Sequence, residues 1–495
     1  MPDARPGGTG GTGATGGTGG RGGPGGRRPA RRTSGRPPGG PAGGRARRPA
    51  QVDPARSVAY QLLRAVDEHD AYANLVLPRL IADAGLDGRD AAFATELGYG
   101  TVRAAGTLDE VVGRCLDRPL KDLQAGVRDL LRLGAYQALR TRIPAHAAVA
   151  TTVDLAHTSG HGRAAGLVNA VLRNVTAQDW TGWTDTLAQG RSPLGALAVR
   201  TGHPEWIADA FALALGEQVD GPLEDTARAL AADDERPLTH LVAWPGAATV
   251  DELLAALPAA EPGPYSPYAV RMSGGDPGDL PAVRDRRVGI QDEGSQLCAL
   301  ALAVAPLDPP VDGRGERWLD LCAGPGGKAA LLAALAAERG AVLTANELRP
   351  HRAELVRRVT ARWDVPVEVG DARDLPRPEG GYDRVLLDAP CTGLGALRRR
   401  PESRWRRDPD NVAELAALQR ELLAAALRLT RPGGVVAYVT CSPHPAETAA
   451  VVAGHELVDA RPAFPGVDGL GDGPTVQLWP HRHGTDAMFC ALIRR

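Results

Sequence analysis

The sequence predicts an α/β protein, with an open sheet of parallel strands flanked by helices in its C-terminal part, an all-α N-terminal domain before it, and a small α/β connecting subdomain between the two. Three observations carry this reading. From Gln291 onward, short apolar runs alternate with alanine- and leucine-rich helical patterns, the mark of a parallel sheet covered on both faces. Those runs end in Glu347, Asp371, Asp388 and Cys441, and open parallel sheets bind ligands at the carboxyl ends of their strands. Between Asp53 and Val175, by contrast, apolar residues recur at helical spacing with few alternations.

A chain of 495 residues exceeds one ordinary domain. Residues 1–50 hold ten arginines and one aspartate among Gly, Pro and Thr, and so few apolar side chains cannot offset chain entropy. A disordered Gly/Arg-rich tail is expected there, able to hold polyanions loosely or simply to solubilise. Its net charge of +9 leaves −11 for the rest of the chain, whose total is −2, so nucleic-acid binding must come from local patches. No apolar run is long enough to span a membrane and no secretory signal pattern opens the chain, so a cytoplasmic location without membrane association is expected. Six cysteines are scattered without a C-x-x-C pair, which predicts reduced thiols and no metal site.

Residues 51–177 form the expected all-helical domain. Val58, Leu62, Leu63 and Val66 share one helical face, as do Leu123, Val127, Leu130 and Leu131, and again Leu167, Val168, Val171, Leu172 and Val175. Residues 178–290 are broken by Trp180, Trp183, Pro193 and His203-Pro204-Glu205-Trp206, which suggests a helical linker and a small α/β subdomain with a strand over Leu238–Ala243. Residues 291–495 carry the sheet. A helix over Gln291–Ala305 precedes strands at Trp318–Leu321, Ala341–Ala345, Val365–Val369, Arg384–Leu387 and Val435–Val439, and Met488–Ile493 closes the set.

Within that domain Arg317–Lys328, RWLDLCAGPGGK, reads as strand, tight turn and helix start. Glycines let backbone approach a ligand closely, and a helix N-terminus offers unpaired N–H groups to an anion. A Walker A loop fails at Cys322, where it needs glycine, and at Ala329, where it needs Ser or Thr. A dinucleotide fingerprint lacks its third glycine. The nucleoside-binding loop of S-adenosylmethionine enzymes fits best, and an ordinary glycine-rich turn is the alternative for this loop taken alone. The chain has only two lysines, Lys121 and Lys328, so a lysine closing the loop hints that an ammonium is wanted there. Glu347 lies 20 residues after Gly327, the spacing at which a strand-end acid meets ribose hydroxyls. Asp371 could accept from an adenine amino group.

Cys322-Ala323-Gly324-Pro325-Gly326-Gly327-Lys328, Gly370-Asp371-Ala372, Asp388-Ala389-Pro390-Cys391 and Thr440-Cys441-Ser442 together resemble the RNA cytosine-5 methyltransferase family. Arg128–Arg132 and Leu167–Arg173 are similar to helices of NusB-like RNA-binding domains, although solvated helix faces would explain their arginines equally. The whole layout resembles the RsmB (Sun/Fmu) branch. That resemblance implies a Rossmann-like methyltransferase domain, S-adenosylmethionine as cofactor bound by Cys322–Lys328, Glu347, Asp371 and Asp388, and 16S ribosomal RNA as partner, free rather than in an assembled subunit, met by a monomer. It also implies Cys441 as nucleophile, Cys391 as the cysteine that assists release, and Asp388 at the cytosine N3 edge. Pro390-Cys391 offers the dipeptide that DNA cytosine-5 methyltransferases use, and the second cysteine at Cys441 favours the RNA arrangement. Rival readings are a methyltransferase for another RNA, a protein or a small molecule, and a non-enzymatic RNA-binding scaffold. Arg398, Arg399, Arg400, Arg404, Arg406 and Arg407, with Trp405 among them, are expected where an RNA backbone enters, with a salt-bridged surface helix as the alternative.

Overall fold

The computed structural model describes residues 53–311 and 315–495, and the tail expected over residues 1–50 lies outside them. Seven α-helices run between Pro54 and Val175. The first starts where Asp53 accepts a hydrogen bond from the Arg56 N–H at 3.2 Å and Pro54 occupies the first turn, both ordinary helix-start chemistry. Leu62, Leu97, Leu108, Leu130, Leu131 and Leu172 are fully buried in the shared core of this bundle. Each such side chain contributes about 1.5–3 kcal/mol by leaving water. The core runs on past residue 177 to Trp183, Leu187 and Val199, and Trp183 is tied back by its indole N–H to the Val175 carbonyl at 2.7 Å. Several arginines of this region are paired with carboxylates. Arg64 and Arg132 meet the buried Asp129, Arg132 also meets Asp109, and Arg128 meets Asp67.

Four helices, Trp180–Ala188, Pro193–Arg200, Glu205–Leu215 and Glu224–Ala232, lead into a small antiparallel sheet. Its strands are β1 (Thr239–Ala243), β2 (Glu261–Pro262), β3 (Ala269–Met272) and β4 (Val288–Ile290), in the order β2-β3-β1-β4. This connecting region packs against the C-terminal domain. Ile207 and Phe211 share a core with Leu394, Leu397 and Trp479, and Val242 and Trp244 join the core under the large sheet.

The large sheet comprises β5 (Arg317–Asp320), β6 (Val342–Glu347), β7 (Val367–Val369), β8 (Tyr382–Asp388), β9 (Thr430–Thr440), β10 (Leu457–Val458), β11 (Val476–Gln477) and β12 (Phe489–Arg494). Its order is β10-β12-β9-β8-β5-β6-β7, with β11 paired to β12. The strands from β5 to β9 are parallel, whereas β12 runs antiparallel to β9. The last strand thus departs from the all-parallel expectation. Between β9 and β12 the α-helices, Ala449–Val452 and Pro480–His483, have four residues each, too short for a parallel crossover.

Side chains alternate across the strands. Leu386 joins helices Glu293–Val304 and Gly327–Arg339 on one face, while Val385 and Leu387 join helix Pro409–Leu429 on the other. From β5 the chain winds outward through β6 to β7, then returns to lay β8 on the other side of β5. The crevice for a ligand therefore opens above β5 and β8, where the strand order reverses. Among the described residues, no helix is long and apolar enough to cross a membrane.

Candidate active site

A cavity of about 680 Å³ lies at this switch point, lined by Cys322, Ala323, Gly324, Pro325, Gly327, Lys328, Glu347, Asp371, Asp388, Cys391 and Cys441. Every expected site residue but one is therefore at the same opening. The exception is Gly326, which caps helix Gly327–Arg339 with φ of +113°. A Cβ there would sit 2.5 Å from the Val359 side chain, so Gly326 serves the loop's close approach to a neighbouring helix.

The cradle after β5 is held by its neighbours. Gly324 donates its N–H to the Glu347 carboxylate at 3.0 Å, and a Cβ at Gly324 would fall 2.2 Å from the same oxygen. Glu347, at the end of β6 and only 4% exposed, also accepts from the Arg349 N–H at 2.9 Å. Asn346 donates to the carbonyls of Leu321 at 3.1 Å and Gly370 at 3.2 Å, tying three strand ends together. The Asn346 Oδ1 is buried without a protein partner. Helix Gly327–Arg339 starts without a side-chain cap, which leaves its first N–H groups for an anion. A small ligand with a carboxylate and a nucleoside fits these donors and acceptors. Asp371 follows β7, where hydrogen bonds from Arg373 push its carboxyl down to about 2.

Asp388 ends β8, and its Oδ2 accepts from Lys328 Nζ at 2.8 Å. Burial opposes the charge on Lys328, yet the Asp388 carboxylate prevails and holds the ammonium above its ordinary range. Behind this pair lies Asp320, buried at the end of β5 with neither carboxylate oxygen hydrogen-bonded. Burial and then the nearby Asp388 push it up to about 8.

Cys391 and Cys441 lie at the mouths of β8 and β9 with their sulfurs 3.3 Å apart. The hydrogen bond between them splits their acidities. It lowers Cys441, against burial and with help from the Arg400 and Lys328 charges, and it raises Cys391 together with burial. Of the pair, Cys441 is the thiol whose ionisation is eased and Cys391 the one whose ionisation is opposed. The Cys322 thiol, which lines the same cavity, is pushed up by burial and by Asp320 and Asp388. Of the three cavity-lining cysteines, only Cys441 is shifted toward the thiolate.

The arginine-rich segment differs from expectation. Arg398 and Arg399 reach inward to Asp292 and Asp486. Arg404 has no exposed surface and donates to Gly202 O at 3.0 Å, Asp234 Oδ1 at 2.9 Å and Asp233 O at 3.3 Å. Trp405 donates to Arg103 O at 2.9 Å and lies against Gly106, while Arg406 binds the carbonyls of Val66, Asp70 and Ala71. Arg399, which also donates to Leu238 O at 3.1 Å, Arg404, Trp405 and Arg406 rivet the sheet domain to the connector and the helical bundle, whereas Arg398 bonds within the sheet domain. Arg400 and Arg407 line the cavity, and neither is ion-paired among the described residues.

Two participants escaped sequence reasoning. Tyr72, from the helical bundle, also lines the cavity, and Arg400 lies over its ring at 5.7 Å. No local pattern around Tyr72 points across more than three hundred positions to Arg400. Glu447 is fully buried among the residues that flank the two cysteines. An acid six positions after Cys441, with His444 between them, was its only signal.

A family model described as 16S rRNA methyltransferase RsmB/F matches residues 307–494, and one described as the NusB family matches residues 53–177. A Mycobacterium tuberculosis protein named as a methyltransferase is 56% identical over 463 residues, covering 91% of this chain and 98% of its own length. The ribosomal RNA small subunit methyltransferase B of Erwinia tasmaniensis is 33% identical, covering 88% of this chain and 98% of its own. The crystal structure of PH0851 superposes with a TM-score of 0.75 over 90% of this chain and 99% of its own, at 22% identity, a likeness of fold.

Proposed function

Because the chain belongs to the RsmB/F family of 16S ribosomal RNA methyltransferases, we propose that it methylates C5 of a cytidine in that RNA through a covalent adduct between Cys441 and C6. The observation that carries this is the pair of cysteine sulfurs at 3.3 Å, beside the Lys328–Asp388 pair and in the same cavity as the glycine cradle. Methylation of nitrogen or oxygen needs no such pair. The methyl donor is S-adenosylmethionine, which supplies an electrophilic methyl group on a sulfonium. Gly324, Gly327 and the start of the following helix would hold its amino-acid end, with Glu347 at the ribose and Asp371 at the adenine.

C5 of cytosine is a poor nucleophile. The Cys441 thiolate adds to C6 with its own electron pair, and the displaced ring electrons make C5 an enamine carbon able to take the methyl group. Asp388, oriented by Lys328, meets the N3 edge and favours proton uptake there while the adduct exists. The C5 proton is then lost to water, the C–H electron pair re-forms the ring double bond, and the Cys441 sulfur leaves with its electrons. Cys391, as the neighbouring thiol, donates to that departing sulfur.

The cytidine must be unstacked to reach this depth, so a loop or partly unfolded segment of free 16S RNA is the substrate, met by a monomer in the cytoplasm. Arg400 and Arg407 would hold phosphate at the mouth. The helical region 51–177 would grip RNA outside the cavity, and residues 178–290 would keep it in register with the sheet domain 291–495.

The test is incubation with labelled S-adenosylmethionine and protein-free 16S RNA, followed by mapping of 5-methylcytosine. One modified cytosine is expected. Transfer only to assembled 30S subunits would reverse the assignment of free RNA, and a label on nitrogen or oxygen would overturn the adduct.

A further inference from the structure

The proposed reaction leaves Glu447 without a role. This residue ends the short turn Pro445–Glu447 after Cys441 and has no exposed surface. One carboxylate oxygen accepts from the Thr392 backbone N–H at 2.8 Å and from Gln419 Nε2 at 3.1 Å. The other accepts from the Thr392 hydroxyl and from Ser442 Oγ at 2.6 Å. Among the described residues no cation is paired with it. A buried carboxylate without a counter-ion is costly, and four converging donors offset that cost.

The donors are not arbitrary. Thr392 follows Cys391 and Ser442 follows Cys441, and the two hydroxyls lie 3.1 Å apart. Gln419 also donates to Pro390 O at 2.8 Å, just before Cys391. The Tyr438 hydroxyl donates to Glu447 O at 2.7 Å, which anchors the turn to β9 itself. The ladder between β8 and β9 ends at Asp388 paired with Val439, followed by the Ala389 N–H on Val439 O at 2.8 Å. Beyond that point the two cysteine loops are joined by this carboxylate and by the Gly395 N–H on Cys441 O at 2.9 Å.

We propose that Glu447 is a positioning residue that clamps the Cys391 and Cys441 loops together, so that the Cys391 thiol stays in hydrogen-bonding contact with the Cys441 sulfur through attack and expulsion. The inference rests on Cys441 being the nucleophile. Cys391 keeps its proton throughout, while Cys441 forms the bond to C6 with its own electron pair and recovers that pair on leaving. The charge on Glu447 acts in the same sense, because it disfavours a thiolate at Cys391.

Glu447→Gln replaces one acceptor oxygen by a donor facing donors. We expect single-turnover methyl transfer on 16S RNA to slow by about tenfold or more, with its rising pH limb moved alkaline by about one unit, while the Kd for labelled S-adenosylmethionine stays within about twofold. In a double-mutant cycle on adduct formation with 5-azacytidine-substituted 16S RNA, adding Glu447→Gln to Cys391→Ala should change the rate by less than about twofold. An unchanged pH profile, or effects of the two substitutions that simply multiply, overturns the proposal. Should the Gln variant not fold, Ser442→Ala decides, since it removes one donor and leaves the carboxylate. It should move the pH limb in the same direction by a smaller amount, and an unmoved limb overturns the clamp. Cys441→Ala in the same adduct assay separates the two claims. An adduct that survives it removes the nucleophile assignment, whereas loss of the adduct leaves that assignment standing whatever Glu447 does.

Discussion

The strand mouths of the sheet domain and the segment Arg398–Arg407 are both dense in reactive or charged side chains, yet the fold treats them oppositely. At the mouths, backbone turns and buried partners hold Cys441, Asp388 and the glycine cradle with a face left to the cavity. In the arginine segment most of the charge is consumed. Arg398, Arg399, Arg404 and Arg406 satisfy carboxylates and free carbonyls of three regions, and of the cavity-lining Arg399, Arg400 and Arg407 the last two are without a carboxylate partner among the described residues. A cluster of one residue type in sequence is thus no measure of how much of it meets a ligand. Arginine's five donors suit it as much to tying carbonyls together as to gripping phosphate.

The sharpest test of that contrast is at the mouths. Cys441→Ala should reduce methyl transfer and adduct formation to background, while Cys391→Ala should form the RNA adduct and release it poorly, read by gel shift under denaturing conditions. Full activity in Cys441→Ala would exchange the two roles. Next in size is the interior arginine. Arg404→Ala leaves carbonyls of Gly202 and Asp233 and the Asp234 carboxylate without their donor, and should destabilise the protein by about 3 kcal/mol in urea unfolding, with S-adenosylmethionine affinity unaltered. A stable Arg404→Ala with weakened RNA binding would erase the distinction drawn between the two halves of the segment. Arg400→Ala and Arg407→Ala should do the reverse, raising the KM for RNA by about fivefold each, and more at low salt, with unfolding unchanged.

The smallest expected effect is in the buried carboxyl beneath the cavity. Asp320 is pushed up to about 8, against about 3.9 in an unfolded chain, so the folded protein holds a proton that the unfolded one has released. Its contribution to stability is full below about pH 4 and is lost as pH rises through about 8. Asp320→Asn should flatten the fall in Tm between pH 5 and 8 by about 1 °C per pH unit. An unaltered slope would mean that Asp320 ionises freely.

Much of the fold and site was legible in the chain where the information is local. The glycine turn, the helix behind it and the acids at strand ends follow from residues within a few positions of each other. The expected strands at Trp318–Leu321 and Arg384–Leu387 appear at Arg317–Asp320 and Tyr382–Asp388. The antiparallel course of β12 was not legible, because Met488–Ile493 reads the same in either direction and only the lack of a crossover helix decides it.

By itself, then, the sequence determined the succession of helices and strands and the chemical character of each strand end, since period, turn chemistry and capping act within a few residues. Only the tertiary structure decided which of those ends meet. Cys391 and Cys441 are 50 positions apart, and they touch because β8 and β9 are neighbours in the sheet. The same holds for Glu447 between their loops, for Tyr72 over Arg400, and for the arginines drawn inward. Their partners lie on elements brought close by strand order and core packing, and that information is spread over the whole chain rather than written beside any one residue.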